Sequence, residues 1–147
     1  MVAVKDSKEV KSIKNFGLLY IITVAALVVA CDVRDFLPIP SIGVIEPQEE
    51  TVIGNPAYFE FDAKNWDIEA AGMRRDGAGY FVIILQDGCQ TPGRLIPFEQ
   101  GYVHLANGAY QAQVHLEPGS YEICVQVADG NHRALELFET VKIVVVK

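Results

Sequence analysis

Ala109–Ala128, AYQAQVHLEPGSYEICVQVA, reads as two strands on either side of a turn. In 109–116, Tyr110, Ala112, Val114 and Leu116 fall on one face. Glu117-Pro118-Gly119 then supplies turn chemistry, because proline fixes φ and glycine accepts conformations other residues avoid. In 120–128 the alternation resumes, with Tyr121, Ile123, Val125 and Val127 inward and Cys124 pointing the other way. Apolar residues at every second position mark a strand with one face on a core.

Working outward, the same grammar repeats. Ser41–Ile45 is apolar and ends at Glu46-Pro47. Ala57–Ala63, AYFEFDA, sets Tyr58 against Phe59 and Phe61. Tyr80–Leu85, YFVIIL, is apolar throughout, the pattern of a central strand buried on both faces. Tyr102–Leu105 is short, and Thr140–Val146 closes the chain. Turn signals stand between these runs: Gly54-Asn55-Pro56, Asp87-Gly88, Thr91-Pro92-Gly93, Asn107-Gly108 and Asp129-Gly130-Asn131. Asn107-Gly108 between Leu105 and Ala109 has the form of a hairpin turn. About seven short strands so spaced predict an all-β, antiparallel, immunoglobulin-like β-sandwich over 41–147. Residues 64–79 break the pattern and read as a longer loop with one helical turn, carrying Trp66 and Met73.

Before this domain lies a different kind of sequence. Phe16–Cys31, FGLLYIITVAALVVAC, carries no charge and follows Lys5, Lys8, Lys11 and Lys14. Sixteen helical residues rise about 24 Å, short of a hydrocarbon core of about 30 Å. Extended to Ile13–Val33, with Lys14 and Arg34 snorkelling, the run is long enough to span. Three readings stand. A retained single-pass anchor over 13–33, or an uncleaved signal, leaves 1–12 in the cytoplasm and exports the rest, with Phe36–Pro40 completing a proline-containing linker over 34–40. Alternatively Val28-Val29-Ala30-Cys31 resembles a lipobox, Cys31 being the candidate lipidation site. A buried helix of a soluble domain is the third reading, opposed by the flanking lysines. In the anchor reading, Thr23, Ala26 and Ala30 form a small-residue face on which a second membrane helix can pack.

Charge and cysteines fit export. Residues 32–147 hold eight basic and seventeen acidic side chains, a net charge of −9. So acidic a surface disfavours nucleic acid and anionic headgroups. Cys89 and Cys124 are a candidate disulfide in an oxidising compartment. Neither has a second thiol or a histidine at metal-ligand spacing.

From Gly43 onward the chain resembles a family of small exported β domains of unassigned function with histidine-containing loops. The resemblance is carried by Gly79, Ile96-Pro97, His104 with Asn107-Gly108, Pro118-Gly119-Ser120-Tyr121, and Asp129 with His132. Where that family places a histidine cluster, this chain has Tyr80-Phe81-Val82. If those histidines bind a metal, most ligands are missing here, and His104, Asp129 and His132 remain only as weak candidates. His115 sits between Val114 and Leu116 and faces away from the inward row.

No nucleophile elbow, CxxC, HExxH or phosphate loop occurs in the sequence. The expectation is a non-catalytic, membrane-anchored accessory subunit of an inner-membrane protein complex, of respiratory or photosynthetic type. Its domain would pack on the periplasmic face, with Trp66 and Met73 as candidate interface residues. No cofactor, nucleic acid or small-molecule ligand is expected. The alternative is a periplasmic ligand- or metal-binding lipoprotein.

Overall fold

The structure is a computed structural model and describes residues 38–86 and 88–147. The 13–33 run, with Thr23, Ala26, Ala30 and Cys31, lies outside the described residues, as do 1–12 and 34–37. Among the described residues the regular elements are strands: β1 Ser41–Glu46, β2 Thr51–Ile53, β3 Ala57–Lys64, β4 Asp67–Ile68, β5 Ala78–Ile84, β6 Tyr102–His104, β7 Gln111–Val114, β8 Gly119–Ala128 and β9 Ala134–Val145. No described helix is long and apolar enough to cross a membrane.

The strands form two sheets. One has the order β1-β3-β7; the other runs β2-β9-β8-β5-β4, with β6 alongside β5. The period-two pattern sets which residues meet. β3 turns Ala57, Phe59 and Phe61 inward, and β8 turns Ile123, Val125 and Val127 inward, all buried with Phe81, Ile83, Val141 and Ile143 in one cluster. Phe61 and Phe81 meet between the sheets with ring centroids 4.9 Å apart. Each such side chain contributes about 2–3 kcal/mol by leaving water. At the entry to β8, Tyr121 Oη donates to Glu117 O at 2.8 Å, tying the strand to the turn before it.

β5 is buried along its whole length, as its unbroken apolar sequence predicts. One face supplies the inter-sheet core. The other, Tyr80, Val82 and Ile84, packs with Ile96, Cys124, Ala128 and Ala134 in a second cluster. What covers this face is the irregular segment 88–101. Three devices hold it down. A disulfide joins Cys89 to Cys124, with Cα atoms 5.3 Å apart. Backbone hydrogen bonds run from Gly93 N to Ala134 O at 2.7 Å, Ala134 N to Arg94 O at 2.8 Å, and Ile96 N to His132 O at 2.9 Å. Finally, fully buried Gln126 serves the segment's main chain at Gln90.

Four expectations need correction. The described residues hold nine strands rather than about seven, because β2 and β4 are two or three residues long and exist only through their partners. The pairing is not wholly antiparallel: β2 runs parallel to β9, and β4 parallel to β5. Residues 64–79 form no helical turn; Asp67–Ile68 pairs with Ala78–Gly79, and Ala70 bridges Asn107. Asn107-Gly108 does turn the chain, with Gly108 at φ 77°, but it does not close a hairpin. β6 before it pairs with β5 and β7 after it pairs with β3, so the chain crosses between sheets there.

Candidate functional site

At one end of β5, two strands and two loops deliver a cluster of rings. Tyr80 lies on β5 and is completely buried. His104 ends β6, opposite Val82. Pro97 and Phe98 come from the covering segment, and His132 comes from the turn between β8 and β9. Tyr80 Oη lies 3.0 Å from His104 Nδ1 and 2.7 Å from His132 Nδ1. His104 Nε2 lies 2.9 Å from Pro97 O. Phe98 is 63% exposed, yet its inner face lies flat on His104, centroids 4.0 Å apart and planes 13° apart. His132 meets the same phenyl ring edgewise at 4.8 Å.

With both imidazoles neutral, donor and acceptor roles follow by elimination. The Pro97 carbonyl only accepts, so His104 Nε2 carries the hydrogen and His104 Nδ1 is an acceptor. Tyr80 Oη–H donates to that nitrogen. The hydroxyl has no second hydrogen, so Tyr80 Oη accepts from His132 Nδ1–H. His132 Nε2 is left with its lone pair and has no hydrogen-bond partner among the described residues.

The turn bearing His132 is held by Asp129. This carboxylate is 5% exposed, and its Oδ1 accepts from Asn131 N and Arg133 N, each at 2.9 Å. Its Oδ2 lies 3.7 Å from Arg74 Nε. The closed turn puts His132 at φ 63°, a left-handed conformation few residues adopt without cost.

Burial holds His104 below the ordinary imidazole range; the Pro97 carbonyl pulls the other way, and His132 adds to the lowering. Burial, reinforced by the Asp129 charge, pushes the Tyr80 phenol up to about 12. Tyr80 is therefore a neutral hub between two imidazoles across the physiological range.

His104, Asp129 and His132, named from the sequence, thus share one site. Among the described residues no group of three or more His, Cys, Asp or Glu side chains converges as a metal-ligand set. His115 is exposed, away from the cluster. Trp66 and Met73 fare differently. Met73 is 93% exposed. Trp66 packs against the main core, buries Nε1 with no acceptor, and lines a cleft of about 550 Å³ with Pro40, Arg74, Asp129, Arg133 and Leu137. Sequence reasoning missed Tyr80 and Phe98 as site residues. The available signals were Tyr80 directly after Gly79, where the resembled family carries histidine, and Phe98 directly after the Ile96-Pro97 pair.

No curated protein matches this chain. A family model described as "Domain of unknown function (DUF4399)" matches residues 59–146, which hold Tyr80, Pro97, Phe98, His104, Asp129 and His132, and the chain belongs to that family.

Proposed function

We propose that this chain is a non-catalytic contact module. Its 13–33 run anchors it in the inner membrane with residues 1–12 in the cytoplasm, and its strand domain, exported to the periplasmic face, is an accessory subunit of a membrane-protein complex of respiratory or photosynthetic type. The observation that carries the reading is Phe98, a large apolar ring mostly in water yet fixed against His104. Rigid exposed aromatics lose little entropy when a partner covers them and are enriched at interaction hot spots. Apart from His132 Nε2, the polar atoms beneath it are spent on one another, which suits a scaffold more than a reacting centre.

Further observations support the parts of this reading. The Cys89–Cys124 bridge suits an oxidising compartment. An immunoglobulin-like sandwich accounts for the strand plan, since β1, β3 and β7 correspond to strands A, B and E, and β5, β8 and β9 to C, F and G. The Tyr121–Glu117 hydrogen bond matches the tyrosine corner of such folds.

Blue-native electrophoresis of mildly solubilised membranes tests the proposal. The chain is expected in a band well above its own 16.2 kDa plus detergent. Ala26→Leu with Ala30→Leu should loosen that association and leave the exported domain folded. Migration as a lone chain would overturn the proposal.

A further inference from the structure

Three features of the ring cluster converge on one kind of ligand group. Phe98 offers an outward aromatic face whose inner side is already covered by His104. His132, centred 4.8 Å from that ring, keeps an acceptor lone pair on Nε2, because the chain of hydrogen bonds through Tyr80 fixes its tautomer. Finally, His132 is held at φ 63° by the Asp129 turn, a backbone cost that presents one imidazole in one place. An aromatic face attracts cations, and an imidazole lone pair needs a donor. A planar guanidinium satisfies both at once, as it stacks on rings and projects N–H groups from its edge.

We propose that Phe98 and His132 form the docking point for an arginine side chain of a basic protein partner, the guanidinium lying on Phe98 and donating a hydrogen bond to His132 Nε2. The inference rests on the contact-module reading for the existence of a protein partner. Charge complementarity favours this occupant: the net charge of −9 over 32–147 draws a basic surface, and Glu99, exposed and adjacent in sequence to Phe98, is the nearer charge on a segment whose other charged residue, Arg94, stands four positions away. The neighbouring cation Arg133 is turned to its own loop, donating from Nη1 to Gly93 O at 2.9 Å. Lysine fits less well, since its ammonium is compact, strongly hydrated and cannot stack.

The test uses the full chain in detergent micelles, titrated with a blocked tetra-arginine peptide and, separately, a blocked tetra-lysine peptide. Ring resonances of Phe98 and His132 should shift with arginine, and the lysine peptide should bind more weakly. Phe98→Leu keeps the bulk and removes the aromatic face; His132→Asn keeps a residue that tolerates left-handed backbone and removes Nε2. Each should raise the peptide Kd about three- to five-fold, the scale of an exposed cation–π contact. Unchanged arginine affinity in both variants, or equal binding of both peptides with shifts spread over exposed carboxylates, overturns the site. A membrane complex that forms and survives both substitutions also overturns the arginine site while leaving the contact-module reading in place. If the chain forms no complex at all, that reading fails, and the peptide titration still decides the site by itself.

Discussion

Gln126 and Gln90 grip each other by two hydrogen bonds of 2.8 Å: Gln90 N donates to Gln126 Oε1, and Gln126 Nε2 donates to Gln90 O. The same Nε2 also reaches Leu135 O at 2.9 Å. One wholly buried amide thus satisfies three main-chain groups where a strand, the covering segment and β9 meet.

Gln126→Leu should therefore destabilise the strand domain far beyond a change of shape. It removes the partner of three half-buried backbone groups, and each that water cannot reach costs about 1–3 kcal/mol. A loss of at least about 3 kcal/mol is expected in urea unfolding followed by Trp66 fluorescence. A loss under about 1 kcal/mol would mean that water or a shifted loop serves those groups.

The disulfide closes a loop with a sequence separation of 35. Loop-closure entropy of that length corresponds to about 4 kcal/mol. Reduction, or Cys89→Ala with Cys124→Ala, should lower the thermal midpoint steeply. Cys124 is 1% exposed, so maleimide labelling of the reduced folded protein should be faster at Cys89 than at Cys124.

Two groups of the ring cluster set opposite pH limits. His104 is held below its ordinary value by burial. The unfolded chain then binds the proton first as pH falls, so stability is lost from about 6.5 down to the folded His104 midpoint and is flat below it. Tyr80 is raised to about 12, so the unfolded chain loses its proton first and stability falls between about 10 and 12. Unfolding midpoints measured across pH should show both limbs, and His104→Gln should flatten the acid one. An acid limb unchanged in that variant would assign it to another group.

Gly79 has no room for a side chain. A Cβ there would stand 2.4 Å from Ala128 O and 2.7 Å from Val127 Cγ1. Gly79→Ala should cost about 1–3 kcal/mol or more, because backbone must move. Gly54→Ala, with nothing within 4 Å of the added carbon, is the matched control and should be nearly neutral.

Much of the fold could be read directly from the residues. Phe59, Phe61, Ile123, Val125 and Val127 all face the core that period two assigns them, since alternation records burial locally. The unbroken run in β5 announced burial on both faces without saying what the second face would meet. Segment 88–101 has no periodicity, and its place follows from Gln126, the disulfide and three backbone bonds made far away in sequence. Asn107-Gly108 misled for a related reason: the dipeptide specifies a turn, whereas the sheet each flank joins is decided by distant partners. The ring cluster was half legible. His104 and His132 stood out as histidines on turns or strand ends, but Tyr80, 24 and 52 residues from them, looked like one more core aromatic.

Because 88–101, though largely exposed, is pinned to the core through Ile96, the Cys89 disulfide and Gln90, the domain's connections differ in how freely they accept change. A turn such as 48–50 is exposed and tied to β9 by surface hydrogen bonds, Glu50 N to Lys142 O and Lys142 N to Glu49 Oε2, so a change there costs those bonds and leaves the core alone. A change in the 88–101 stretch does not, since lengthening it would slide Ile96 off Tyr80 and lift Phe98 from its imidazole bed. Engineers seeking a site for a tag or a label should choose the former; a residue added to the latter would unseat Ile96 and the Phe98–His104 stack together.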